Sequence, residues 1–240
     1  MKSENTIWLA LDCDKGLAID LAAALGSHPA IAGYKFNRLI DRENFRQPGD
    51  PLLFEALTRS GQILWADMKL HDIPATVTAR VKAYADSGFF GYITVMAEGG
   101  RAMMEAAVEA AGDKLKVIAV TKLTSLSPTE IKDLTGREPD QAVLYLANLA
   151  HKAGIRHLVC SGKELDILRD FSWAGDMEKI VPAISPAWSL GDQPDQKRTS
   201  TPKDAFLGGA DAVVIGRAIV KADNPLEALN LTVQEIEAIS

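Results

Sequence analysis

The sequence is poor in cysteine and has no long apolar run. Two cysteines, Cys13 and Cys160, occur among 240 residues, and each lies in or beside an apolar stretch far from the other. Isolated cysteines of this kind are typical of reduced thiols in a cytosolic protein. No run reaches the ~18–20 apolar residues of a membrane span, and the apolar stretch that ends at Asp12 is too brief for a signal peptide. We therefore expect a cytoplasmic protein with no membrane partner.

An excess of positive charge is also lacking. The chain carries 26 Lys and Arg against 32 Asp and Glu, a net charge of −6, and has no basic stripe with interleaved aromatic residues. This composition argues against nucleic acid as a partner, so an anionic ligand would need a dedicated local site. The sequence also has no Walker loop and no Gly-x-Ser-x-Gly elbow. No metal site is predicted, because the histidines do not stand at metal-ligand spacing to carboxylates: His28, His71, His151 and His157.

Short apolar runs, many of them rich in β-branched residues, recur along the whole chain. Continuous apolar runs are typical of strands that are buried on both faces of a parallel sheet. We predict eight strands, at residues 7–11, 31–35, 63–67, 91–95, 116–120, 157–160, 179–184 and 212–216.

Segments with a helical pattern separate these runs, and several begin at proline or end at glycine. Alternation of strand and helix predicts the α/β class and a single (β/α)₈ TIM-barrel domain over residues 1–240. An open doubly wound sheet is the alternative. We disfavour it because residues 11–16 (LDCDKG) stand where such sheets carry G-x-G-x-x-G. The predicted helices are 17–26, 51–61, 74–88, 100–112, 139–154, 163–171, 202–209 and 225–239.

The strongest candidate for chemistry is ADMKLHDIPAT, residues 66–76, at the end of the third predicted strand. Barrels of this kind carry their active sites at the carboxyl ends of the strands. Asp67 and Lys69 are two residues apart and therefore point to one side of a strand. Asp72 follows at the turn before the next helix. In isolation the pattern would suit a structural ion pair and a helix-terminal Asp, but its position in a barrel favours a functional site.

This motif resembles the signature of the orotidine 5'-phosphate decarboxylases, which share D-x-K-x-x-D and usually continue into I-P-x-T-V. The likeness extends over nearly the whole chain, and several separated motifs in the right order are more specific than any one of them. The similar segments are LALD with Asp12, GYKFNRL with Lys35, VTKLTS with Thr124 and Ser125, DQKRTSTP with Gln196, and GADAVVIGRAI with Gly216 and Arg217.

The resemblance implies a reaction and its catalytic residues. The family converts orotidine 5'-monophosphate to uridine 5'-monophosphate and CO₂, the last step of de novo pyrimidine nucleotide synthesis, with no metal or organic cofactor. The alternating charges around the scissile carboxylate would be Lys35, Asp67, Lys69 and Asp72. Lys69 would stabilise the carbanion and protonate it, and repulsion from Asp67 would be relieved as CO₂ leaves. Asp72 and Thr76 would serve the neighbouring active site of a homodimer.

The resemblance also assigns contacts to the nucleoside. Asp12 and Lys35 would contact the ribose hydroxyls, and Thr124 and Ser125 would bind the edge of the pyrimidine. Capping of a helix or turn near Pro128 is the structural alternative for either hydroxyl.

The phosphate is assigned to Gly216 and Arg217. The glycine allows close approach of the backbone N–H groups, and the guanidinium adds a bidentate contact. A Gly-Arg turn with its arginine on a surface carboxylate is the alternative. The long polar stretch 185–201 suggests a lid that closes on the phosphate through Gln196.

Two positions depart from the family pattern, and two other functions stay open. Ser185 stands where many bacterial members carry a phosphate-binding Arg, and Met96 where the family often has His. The closest rival is the magnesium-dependent sugar-phosphate decarboxylase and synthase branch of the superfamily, in which the second strand typically ends in an acidic residue. Lys35 at that position favours the nucleotide enzyme. A non-catalytic nucleotide-binding barrel is the other alternative.

Overall fold

The computed structural model describes residues 6–37, 39, 51–59, 61–189 and 200–239. Eight parallel strands follow one another around a closed barrel, and the last pairs with the first. This closure confirms the predicted TIM barrel and excludes the open doubly wound sheet. The strands are Ile7–Ala10 (β1), Ile31–Phe36 (β2), Ile63–Leu70 (β3), Phe90–Met96 (β4), Lys116–Val120 (β5), His157–Val159 (β6), Glu178–Val181 (β7) and Ala212–Ile215 (β8).

Two strands differ by three residues from their predicted ends on the side where an active site would lie, whereas the other predicted ends are met to within one residue. β3 continues past its predicted end at residue 67 to Leu70. β7 ends at Val181, three residues before the predicted end at 184. Ala183 has a positive φ of 59°, outside the range of regular strand backbone, and Ile184 forms an isolated bridge. The apolar composition of residues 182–184 therefore predicted a strand that is longer than the observed one.

The helices lie outside the barrel and alternate with the strands. Two of them were not predicted: the short helix Arg217–Val220 after β8, and the helix after β5, although Ser127 and Glu130 form a capping box at the start of the latter. The helices are Lys15–Leu25 (α1), Pro51–Thr58 (α2), Pro74–Ser87 (α3), Arg101–Ala111 (α4), Pro128–Thr135 (α5), Pro139–Lys152 (α6), Leu165–Arg169 (α7), Pro202–Gly208 (α8), Arg217–Val220 (α9) and Pro225–Glu237 (α10). Among the described residues, no helix is long and apolar enough to cross a membrane.

The apolar core has two parts, one between the sheet and the helices and one inside the barrel. In the inner part, the ring of Trp8 packs edge-on against Trp65 at 5.3 Å and against Tyr92 at 5.0 Å between centroids. These large rings occupy the barrel interior. Cys160 is buried and Cys13 half-buried, and both are free thiols.

Candidate active site

A cavity of about 540 Å³ opens at the carboxyl ends of the strands. Its walls come from strands around the barrel and from the segments that follow them, as expected for this fold. The polar and charged residues that line it are Asp12, Asp14, Lys35, Asp67, Lys69, Lys122, Thr124, Arg217 and Lys221, together with Gly216.

Three charged groups meet at one carboxylate oxygen in this cavity. The Nζ atoms of Lys35 and Lys69 lie 2.8 and 2.7 Å from Oδ2 of Asp67. The other oxygen, Oδ1, accepts a hydrogen bond of 2.9 Å from the buried hydroxyl of Thr94. Asp67 is 6% exposed, whereas the side chain of Lys69 is 36% exposed. The carboxylate is thus fixed from both sides, and one of its two ammonium partners faces open space.

The two lysines also decide the protonation state of Asp67. Burial by itself raises the pKa of the carboxyl, but the positive charge of Lys35, then that of Lys69, and the hydrogen bonds from both lower the pKa to about 2. Asp67 is therefore an anion at neutral pH. The site presents an alternating row of ammonium, carboxylate and ammonium groups.

A bulge in β3 orients Lys69. Ala66 pairs with Ile93 and Leu70 with Val95, so three intervening residues of β3 face one residue of β4. Lys69 lies in this bulge with a φ of 47°, in the left-handed region that non-glycine residues seldom occupy. Such strained conformations cost about 1–3 kcal/mol and cluster at functional sites. The side chains of Asp67 and Lys69 meet, as strand alternation predicts. The bulge that sets the position of Lys69 was not predicted from the sequence.

Thr94 is a site residue that the sequence analysis did not find. Its hydroxyl oxygen accepts the backbone N–H of Lys69 at 3.1 Å as well as donating to Asp67. Asn37 adds a further restraint, because its side-chain amide donates to the backbone carbonyl of Asp67 at 2.8 Å. A polar Thr inside the fourth predicted strand, GYITV, was the available signal.

The remaining predicted site residues divide into three groups. Those that line the cavity are Asp12, Thr124, Gly216 and Arg217. Those outside its walls are Asp72 and Ser125, which are exposed, and Thr76, which is half-buried. Gln196 and most of the predicted lid lie outside the described residues.

The match to a family model decides what kind of barrel this is. The model described as "Orotidine 5'-phosphate decarboxylase / HUMPS family" matches residues 5–231. The chain belongs to this orotidine 5'-phosphate decarboxylase / HUMPS family.

Relatives within the orotidine 5'-phosphate decarboxylase / HUMPS family agree with the predicted resemblance. A protein of Sphingopyxis alaskensis named orotidine 5'-phosphate decarboxylase is 42% identical over 237 residues, which cover 98% of each chain. One of the same name from Alkalilimnicola ehrlichii is 38% identical over 241 residues, also 98% of each chain. The crystal structure of orotidine 5'-phosphate decarboxylase from Lactobacillus acidophilus superposes with a TM-score of 0.78 at 29% identity, covering 97% of this chain and 99% of that one.

The two departures from the decarboxylase pattern have definite places in the structure. Ser185 is 3% exposed, does not line the cavity, and its hydroxyl has no hydrogen-bond partner among the described residues. Met96 is buried in the apolar core inside the barrel. Lys221, which the sequence analysis missed, lines the cavity together with Arg217 and supplies a second cation at that wall.

Lys122 is the other cavity residue that the sequence analysis missed. Its side chain is fully buried, and its ammonium lies 2.5 Å from Oε1 of Glu98. It occurs within VTKLTS, two residues before Thr124.

Across the part of the chain that the structure describes, no group of three or more His, Cys, Asp or Glu side chains is placed to hold a metal ion.

Proposed function

We propose that this protein converts orotidine 5'-monophosphate to uridine 5'-monophosphate and CO₂, without metal or organic cofactor, as the last step of de novo pyrimidine nucleotide synthesis in the cytoplasm. The observation that carries the proposal is the single carboxylate of Asp67 held between the ammonium groups of Lys35 and Lys69 at the cavity. Family membership supports the same reaction.

The chemical step follows from this row of charges. The bond between the ring carbon and its carboxylate breaks, and the electron pair stays on the ring carbon. Lys69, the more exposed ammonium, stabilises that developing charge and then donates a proton to it, so that a C–H bond forms. Solvent restores the proton to Lys69.

Asp67 acts on the ground state. It stays ionised, since its pKa is about 2, and it repels the substrate carboxylate until neutral CO₂ departs. Two unit charges ~4 Å apart interact by about 4 kcal/mol at an effective dielectric near 20, so this repulsion contributes but does not account for the whole acceleration. Lys35 keeps Asp67 in place and, with Asp12, contacts the ribose.

Binding of the distant phosphate supplies the remaining energy. Arg217 and Lys221 line one wall of the cavity and give a dianion two cations, and Gly216 gives its backbone N–H. The backbone N–H of Lys221 donates to the carbonyl of Arg217 at 3.0 Å, so the two residues are one helical turn apart. Gln196 completes this site in the proposal, and Thr124 and Ser125 bind the pyrimidine.

A homodimer completes the charged row. Asp72 is exposed, its Oδ1 accepts the backbone N–H of Ile73 at 2.7 Å, and it does not line its own cavity. Ile73 is 66% exposed, a large apolar surface for a position beside the site. Both features fit a second copy of the chain, into whose cavity Asp72 and Thr76 project.

The test is a decarboxylation assay on the purified protein. Loss of orotidine 5'-monophosphate absorbance is followed with and without excess chelator, and uridine 5'-monophosphate binding is measured by calorimetry. We expect turnover that the chelator does not change. A chelator-sensitive rate would replace the proposal with the metal-dependent sugar-phosphate branch. Tight product binding without turnover would replace it with a non-catalytic barrel.

A further inference from the structure

A second ion pair, between the buried Lys122 and the partly exposed Glu98, lies at the cavity, and the proposed chemistry does not use it. Lys122 lines the cavity, its side chain has no exposed surface, and its Nζ lies 2.5 Å from Oε1 of Glu98. The side chain of Glu98 is 33% exposed. A buried ammonium requires a partner, because an unpaired charge is far more costly to bury than a paired one.

Fold stability by itself is a weak reason for such a pair. Replacing a buried ion pair by apolar residues of similar volume is often neutral or stabilising, because desolvation of two charges offsets their attraction. The segments that the pair joins indicate its role. Lys122 directly precedes Leu123 and Thr124, which both line the cavity.

Glu98 belongs to the 3-10 turn Ala97–Gly99 that follows β4. Gly99 of this turn lies beside His71 in the loop after β3, since a Cβ added at Gly99 would come into van der Waals contact with Cδ2 of His71 at 3.4 Å. His71 is adjacent to Asp72. The ion pair therefore joins the segment that carries Thr124 to a turn that lies beside the loop of the decarboxylase signature.

We infer that Lys122 and Glu98 are a positioning pair that holds residues 121–125, and with them Thr124, at the pyrimidine end of the cavity. The inference rests on the proposed function, because the contact between Thr124 and the ring is part of it. Separate contacts hold the charged row, since Thr94 and Asn37 bind Asp67. Loss of the ion pair should therefore weaken nucleotide binding more than it slows the chemical step.

The experiment uses three variants of the full chain: K122M, E98Q and the double variant K122M/E98Q. KM and kcat for orotidine 5'-monophosphate, Kd for uridine 5'-monophosphate and the thermal unfolding midpoint are measured for each. We expect KM and Kd to rise roughly tenfold in every variant, with kcat kept within about threefold. E98Q should unfold earliest because it leaves a buried ammonium unpaired, and the double variant should regain the midpoint without regaining affinity.

Recovery of wild-type KM and Kd by the double variant would overturn the inference, because the pair would then serve only the stability of the fold. Unchanged KM and Kd in folded K122M would overturn it as well. If E98Q does not fold, the other two variants still give the answer. The exposed pair Arg101–Glu105 provides the control, and R101M/E105Q should change neither constant. Absence of turnover in the wild type would contradict the proposed function. In that case, Kd for uridine 5'-monophosphate in the variants would still test the role of the Lys122–Glu98 pair.

Discussion

Lys69 donates its backbone N–H to the hydroxyl oxygen of Thr94, 3.1 Å away, where the backbone of β3 takes a left-handed conformation. The same hydroxyl donates to Asp67 at 2.9 Å. Thr94 therefore links the position of the proposed proton donor to that of the carboxylate beside it. A change at Thr94 should disturb geometry without altering any charge.

Replacement of Thr94 by Val tests this link. The variant keeps the shape but leaves the N–H of Lys69 and one oxygen of Asp67 unpaired, each at a cost of about 1–3 kcal/mol. We expect kcat to fall roughly 100-fold with a smaller change in KM. T94S, which retains the hydroxyl, is the matched control and should stay within about tenfold of wild type. A T94V variant with wild-type kcat would show that the hydroxyl does not organise the site.

Removal of the Lys69 ammonium should abolish the reaction and spare the fold. K69M is expected to lower kcat at least ~10³-fold, because general acid catalysis and charge stabilisation are both lost. Circular dichroism and binding of uridine 5'-monophosphate should show a folded protein that still binds nucleotide. K203M, at an exposed lysine of α8, is the control. Substantial activity in K69M would assign proton donation to another group.

Protonation of Asp67 should require strong acid. Its pKa is about 2 in the folded protein against 3.8 ordinarily, so its contribution to stability is complete above 3.8 and is lost as pH falls through about 2. Carbon-13 NMR of the labelled carboxyl should give a midpoint near 2. In K35M the pKa of Asp67 should rise, because the positive charge of Lys35 no longer opposes the effect of burial. Titration of wild-type Asp67 near 3.8 would mean that the ion pairs do not form in solution.

Arg217 should act on the phosphate and not on the ring. We expect R217A to raise KM for orotidine 5'-monophosphate about 10–100-fold, the effect of losing charged hydrogen bonds. The control is the nucleoside orotidine, which lacks the phosphate. Its kcat/KM should be the same for R217A and wild type. If R217A impairs both substrates equally, Arg217 supports the fold of the cavity and does not bind phosphate.

Shared active sites can be detected by mixing two inactive proteins. D72A and K69M each lack one part of every site, but a hybrid dimer contains one site with Lys69 from one chain and Asp72 from the other. After subunit exchange at equal amounts, we expect about one quarter of wild-type activity. A mixture that stays inactive, although sedimentation shows that hybrids form, would mean that Asp72 does not serve the neighbouring chain.

Much of the fold could be predicted from the sequence because the patterns that indicate strands and helices are local. The apolar runs predicted all eight strands, and proline and glycine marked helices such as α3, which begins at Pro74 and is followed by Gly88 with a φ of 73°. The errors arose where backbone conformation overrode composition. The segment after Val181 is apolar, yet the positive φ of Ala183 ends the strand. Helix α5 was not predicted, although the sequence contains the residues of its capping box, Ser127 and Glu130.

The sequence by itself determined the barrel, the family resemblance and the spacing of Asp67 and Lys69, since each is apparent from short local segments and their order along the chain. Only the tertiary structure decided that Thr94 joins these two residues and that Lys122 pairs with Glu98, because these partners lie on different strands or in the segments that follow them. Their side chains meet only once the barrel closes and sets the register of β3, β4 and β5. The physical reason is that buried polar groups must find partners wherever packing places them.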